Sequence, residues 1–279
     1  MLRLISVFFL AILLGSCATP RTSSYRAFYA HLREPLPPVQ KSCESDYFLI
    51  IYVDARHLDY TDNASFFRTV AKHPSDLSKN RDVGHAWIYL QGLINNEAVY
   101  IAGGHSGERG LCQAKYFDGI MNYIDFGYAN PTRQQMECPR YEPNPAKYFW
   151  DVQYDGHFEW GSGKHRPTFA AKIDLTAEQF NRILEFIQTY NYHCYSLVGN
   201  QCSSFAAHVA MLGGLQLEAE TSIEISPVMY YNGEYIRFWT DPSYALLTIS
   251  TPDALERSLM QAVREGKAQQ VGRAKYRKI

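Results

Sequence analysis

Charge of either sign is in short supply as a net quantity. The 27 Lys and Arg stand against 28 Asp and Glu, a formal net charge of -1, so the basic surplus that phosphate binding draws on is missing and nucleic acid is not an expected partner. Internal repeats and low-complexity tracts are also missing. The apolar run Leu4 to Leu14 is too short to cross a bilayer comfortably. "GSGKH" at 161–165 is not a phosphate loop, because Phe158 stands where that motif needs Gly and His165 where it needs Ser or Thr. His157 and His165 lack accompanying Asp, Glu or Cys at site-like spacing, so neither a metal nor another cofactor is expected. With 279 residues, 46% of them hydrophobic, the chain suits one sizeable domain with its own core.

The N-terminus carries an address. Arg3 precedes the apolar run, and Leu14-Gly15-Ser16-Cys17 follows, the charged, apolar and small-residue layout of a signal peptide. The last four residues resemble a bacterial lipobox. That resemblance implies a signal peptide over 1–16, a lipid on Cys17, membrane partnership through that lipid, and, with Ala18 rather than Asp next, placement in the outer membrane facing the periplasm. Residues 17–45, with Pro35, Pro37 and Pro38, read as a tether. Export permits disulfides. With Cys17 lipidated, Cys43, Cys112, Cys138, Cys194 and Cys202 remain, an odd number: two bridges would leave Cys202 over, while a Cys194 to Cys202 bridge is the rival arrangement.

The domain is expected to begin at Asp46. "YFLIIYV" over 47–53 reads as a strand buried on both faces, and "HAWIYLQG" and "EAVYIAGG" as an antiparallel pair turning at Asn95-Asn96. An insertion of short strands and substrate-facing loops is expected over about 103–168. "FAAKIDL" is a strand, and Thr176 with Gln179 marks the start of an amphipathic helix bearing Phe180, Ile183, Leu184 and Ile187. The catalytic domain is placed at 46–250, and 251–279, rich in Arg and Lys, reads as a basic helix or tail.

Cys202 opens the apolar helix "CSSFAAHV" after a Gly-Asn turn, where helix N-terminal N–H groups favour a thiolate. His208, six positions on, projects about 240° round the helix and cannot serve it. An imidazole partner must come from upstream. His85, after Gly84 at a strand start, is the first candidate and His105 the second. A structural disulfide or buried thiol at 202, and a core histidine at 85, are the bland alternatives.

"GHAWIYLQG…VYIAGG" and "NQCSSFAAHV" resemble the His-strand-strand element and the cysteine helix of NlpC-type papain-fold hydrolases. His before Cys resembles their circularly permuted branch, which includes the lecithin:retinol acyltransferase-like proteins. Two departures stand out: Trp87 where the family has a small residue, and Gln201 between Asn200 and Cys202. The resemblance implies an α+β permuted papain-like fold, an antiparallel sheet packed on the cysteine helix. It implies Cys202 as nucleophile, His85 as its partner, His105 (or Glu97 by residue counting) as third residue, and Tyr195 as a substrate or oxyanion contact. The expected activity is that of a cysteine hydrolase, a peptidase or amidase acting on cell-wall peptide. An acyltransferase or hydrolase of acyl-lipid by the same chemistry, and a non-catalytic envelope-binding lipoprotein, are the alternatives. Cys17→Ser is expected to leave the protein unprocessed or released from membranes; unchanged envelope fractionation, with no uptake of labelled fatty acid by the parent chain, excludes the anchor.

Overall fold

The computed structural model describes residues 45–63, 65–66, 84–107, 154, 156–231, 234–237, 239 and 241–272. The lipobox and tether, Cys43, Cys112, Cys138 and most of the expected insertion lie outside the described residues. Chain order is β1 (Phe48–Ala55), β2 (Gly84–Ile94), β3 (Glu97–Ser106), β4 (His157–Trp160), β5 (Phe169–Asp174), α1 (Ala177–Thr189), α2 (Cys202–Leu212), β6 (Glu220–Glu224), β7 (Val228–Tyr231), β8 (Glu234–Arg237), β9 (Leu246–Ser250), α3 (Pro252–Arg264) and β10 (Gln269–Gln270).

Six strands form one antiparallel sheet in the order β10-β5-β1-β2-β3-β4. The β2–β3 hairpin closes through Asn95 and Asn96, at φ 53° and 64°. Both residues are left-handed, as the two-residue turn that matches strand twist demands, and Asn tolerates that region better than most side chains.

Alternation sorts the strands' side chains to two faces. Leu49, Ile51 and Val53 of β1, Ala86, Ile88 and Leu90 of β2, and Phe169, Ala171 and Ile173 of β5 pack against the three helices in one core. Ile50, Tyr52, Trp87 and Ala170 face the other way with Val271. Helix α1 starts as expected, Thr176 and Gln179 closing a reciprocal capping box, and buries Phe180, Ile183 and Ile187. The β2 strand approaches so closely at Gly92 that an added Cβ would sit 2.6 Å from the Phe180 ring.

The helix expected in the C-terminal segment is present and packed into the core. Helix α3 is capped by the Thr251 hydroxyl and buries Leu255, Leu259, Ala262 and Val263 in the shared core, and β10 extends the sheet at β5. The packed fold therefore continues past 250, through α3 and β10 to Val271. Counting basic residues concealed a stripe at 255, 259, 262 and 263, the spacing of one helix face. Two acids of α3 are buried as well. The Asp253 carboxylate accepts the backbone N–H groups of His57 (2.8 Å) and Leu58 (2.7 Å), and Glu256 pairs with His57 Nε2 at 2.7 Å. These bonds fasten the chain just after β1 to the start of α3. Leu255→Ala is expected to destabilise by about 2–5 kcal/mol, the cost of a cavity at a fully buried leucine, measured by urea unfolding; a change below about 0.5 kcal/mol would restore the tail reading.

Candidate functional site

Cys202 is the first residue of α2 and is 1% exposed. Gln201, wholly buried, caps the helix: its Oε1 accepts the Ser203 N–H at 2.8 Å and the Cys202 thiol at 3.1 Å. Its Nε2 donates to the Ser250 carbonyl, tying the helix start to the end of β9. Its own N–H donates to Ser204 Oγ at 2.9 Å, completing the box. The sulfur thus sits where helix N–H groups converge. Cys194 and Cys202 are both thiols, so the bridge between them is not formed, and Cys194 is not one of a disulfide-linked four. His208 is exposed and stacks on Phe186, 4.3 Å between ring centroids, away from the helix start.

Side-chain alternation decides which histidine shares a face with Cys202. On β3, Val99 and Ile101 pack toward the helices, and the same alternation carries His105 there. Its ring meets Tyr190, Tyr192 and Tyr195 edge-on, with centroids 5.3, 5.6 and 5.1 Å away. His105 Nε2 bonds the Tyr192 carbonyl at 2.8 Å. A carbonyl only accepts, so Nε2 carries the proton and a neutral ring offers its Nδ1 lone pair to the Tyr190 hydroxyl, 3.2 Å away. Burial holds His105 neutral, lowering its pKa to about 4 against the opposing pull of the Tyr192 carbonyl, with His157 lowering it further.

The Tyr190 hydroxyl also donates to Asn200 Oδ1. The Asn200 amide is oriented by two donations from Nδ2, to the Cys194 carbonyl at 2.6 Å and the Asn191 carbonyl at 3.1 Å. One phenolic proton therefore serves two acceptors, Asn200 and His105. Burial raises the Tyr190 pKa, and negative charge on Cys202 raises it further, which puts the sulfur within electrostatic reach of the phenol. Tyr190 and the role of Asn200 were not legible from the local pattern. Asn200, two residues before Cys202 in "NQCSSFAAHV", was the available signal.

His85 goes the other way. Ala86 is in the helix-facing core with Cys202, and His85, one residue earlier, stacks on Trp87 at 5.7 Å on the opposite face, where Trp87 stacks on Tyr52 at 5.3 Å. No hydrogen bond joins His85 to Cys202 among the described residues, and His85 Nε2 is buried without a hydrogen-bond partner. The expected partnership thus fails on parity, and Trp87, the departure noted in the motif, lies on the His85 side. Glu97 is exposed at the hairpin turn, paired with Ile94, at the far end of β3 from His105. Tyr195 is buried against His105 and Gly107.

On the face that carries His85 lies a polar pocket of about 480 Å³, whose lining includes Asp54, His85, Ser106, His157, Glu159 and His165. His165 Nδ1 donates to Asp54 Oδ2 at 2.9 Å, and His157 Nε2 to Glu159 Oε2 at 2.7 Å. His157 and His165, set aside above as lacking a ligand-like setting, are walls of this pocket. Their sequence separation hid it, because β4 and the turn after it had to fold against β1 and β3 first. Among the described residues no three His, Cys, Asp or Glu side chains form a group able to hold a metal ion, and no helix is long and apolar enough to cross a membrane. Compared with protein-family models, curated proteins and solved structures, the chain matches none of them.

Burial lowers the His85 pKa to about 3, with the neighbouring His165, His105 and His157 adding to the fall. The unfolded chain therefore binds the proton first. Stability from a neutral buried His85 is complete above pH 6.5, the unfolded value, and is lost as pH falls below it. Between pH 6.5 and about 5 the loss is on the order of 2 kcal/mol for this one group. His85→Asn is expected to flatten the acid limb of a stability profile by about that amount; an unchanged limb would show that His85 does not titrate in this way.

Proposed function

We propose that this chain is a thiol-dependent hydrolase of the permuted papain-like class, tethered to the bacterial envelope through Cys17 and acting as a peptidase or amidase. One observation carries the reading: Cys202 begins a helix packed on the same sheet face as His105, with Tyr190 and Asn200 linked to that imidazole. In the reaction, the Cys202 proton leaves toward the Tyr190 and His105 pair as the sulfur attacks the acyl carbon. The leaving amine departs with that proton, and water hydrolyses the thioester, returning the thiol and releasing the acid. Helix-start N–H groups are suited to the developing oxyanion. The imidazole assigned to this work is His105, not His85. The same thioester passed to an alcohol or amine acceptor would make the protein an acyltransferase.

The burial of the sulfur and its donation to Gln201 favour a second reading, a non-catalytic envelope lipoprotein in which Cys202 is a packed thiol. Turnover requires the thiol to turn from Gln201 and a substrate carbonyl to take its place. Native alkylation with iodoacetamide separates the readings, in a Cys194→Ser background. A catalytic Cys202 should react at least about tenfold faster near neutral pH than an unassisted thiol of pKa about 8.5. His105→Ala should remove most of that advantage, and His85→Ala should leave it within about twofold. A Cys202 that labels only on unfolding would leave the non-catalytic reading standing.

A further inference from the structure

The pocket beside His85 is built from four segments: the end of β1, the start of β2, the end of β3, and β4 with the turn that follows. That turn is conformationally costly. Gly161 and Gly163 are left-handed at φ 75° and 56°, and Lys164 follows at φ 71°, a region a lysine adopts only when its surroundings enforce it. The turn places Lys164 and Arg166 on either side of His165 along the chain, all three lining the pocket. Neither Lys164 nor Arg166 has a carboxylate partner among the described residues, whereas Asp54 is already engaged by His165 and by Arg56 at 3.6 Å, and Glu159 by His157.

Two further polar atoms here are unanswered. His85 Nε2 and His157 Nδ1 are buried without hydrogen-bond partners, on side chains of residues 4% and 8% exposed. Leaving such groups unmatched is costly, and a ligand group reached by a small rotation of the ring would remove that cost. Three cationic side chains, Arg56, Lys164 and Arg166, face two occupied carboxylates. The local charge balance therefore favours an anion over a divalent cation. His157 and His165 each already donate one ring N–H to a carboxylate.

We infer that this pocket binds an oxyanion group, phosphate or carboxylate, of a small ligand, held by Lys164 and Arg166 at the rim and by the His85 imidazole within, beside the ring of His157. At about 480 Å³ the cavity is of small-molecule size, so the oxyanion is one part of the ligand. The site is separate from the Cys202 chemistry, and it stands or falls independently of that assignment.

Titration of the full chain with inorganic phosphate and with acetate, followed by calorimetry, tests the site. Saturable binding of either anion is expected, and which one binds more tightly distinguishes the two oxyanion chemistries. Lys164→Gln with Arg166→Gln should weaken binding about tenfold or more, a difference of about 1.4 kcal/mol. Both residues are exposed, so the variant should keep the parent unfolding midpoint. His157→Asn should weaken binding as well, and Cys202→Ala should leave it unchanged. Absence of saturable binding by either anion overturns the inference, as does affinity unaltered in the double variant. Saturable zinc binding lost in His157→Asn, with phosphate and acetate inert, would make this a cation site and equally overturn it.

Discussion

The two-residue repeat of strand β2 is the constraint on which the placement of the histidines depends. Ala86, Ile88 and Leu90 enter the helix-packed core, so His85 and Trp87 must face the other way. The consequence runs through the sheet. His105 is directed to the side of Cys202, while His85 joins His157 and His165 around the polar pocket. Histidines close together at one end of a sheet are thereby divided into two chemically different settings.

The helix face is specified by long-range packing. Helices α1, α2 and α3 each bring an apolar stripe, and the shared core includes Phe180, Phe205 and Leu255. Removing several such side chains from water, at about 1.5–3 kcal/mol each, outweighs the local preferences of single polar residues. Gln201 shows how the polar groups at this boundary are accommodated: buried completely, it bonds Ser203, Cys202 and Ser250, so the start of α2 is fixed by one side chain. That fixity gives Cys202 its position and also holds its thiol inward.

The two sites use histidine differently. Around Cys202 the imidazole of His105 is kept neutral by burial and oriented by a backbone carbonyl, so its remaining nitrogen faces a phenol. Across the sheet, carboxylates orient the rings of His157 and His165. The first arrangement leaves a ring nitrogen as an acceptor, and the second ties each ring to an acid. Helix α3 fixes the chain just after β1, since Asp253 and Glu256 hold His57.

Local rules made several elements readable in advance. The Asn95-Asn96 turn, the Thr176 capping box and the start of α2 at Cys202 each depend on a few neighbouring residues. So did the exclusion of His208, which follows from helix geometry alone. Which histidine shares a face with Cys202 depended on something else. Sequence shows that residues 85 and 86 point to opposite faces, but only the packed helices decide which of those faces is the inner one. Residues such as Asp54, Ser106, His157 and His165 meet only after four strands have assembled, and Glu256 meets His57 across 199 positions. Patterning by the amino-acid sequence settled the elements and their alternation; the tertiary burial of three apolar helix stripes settled which histidine shares a face with the thiol.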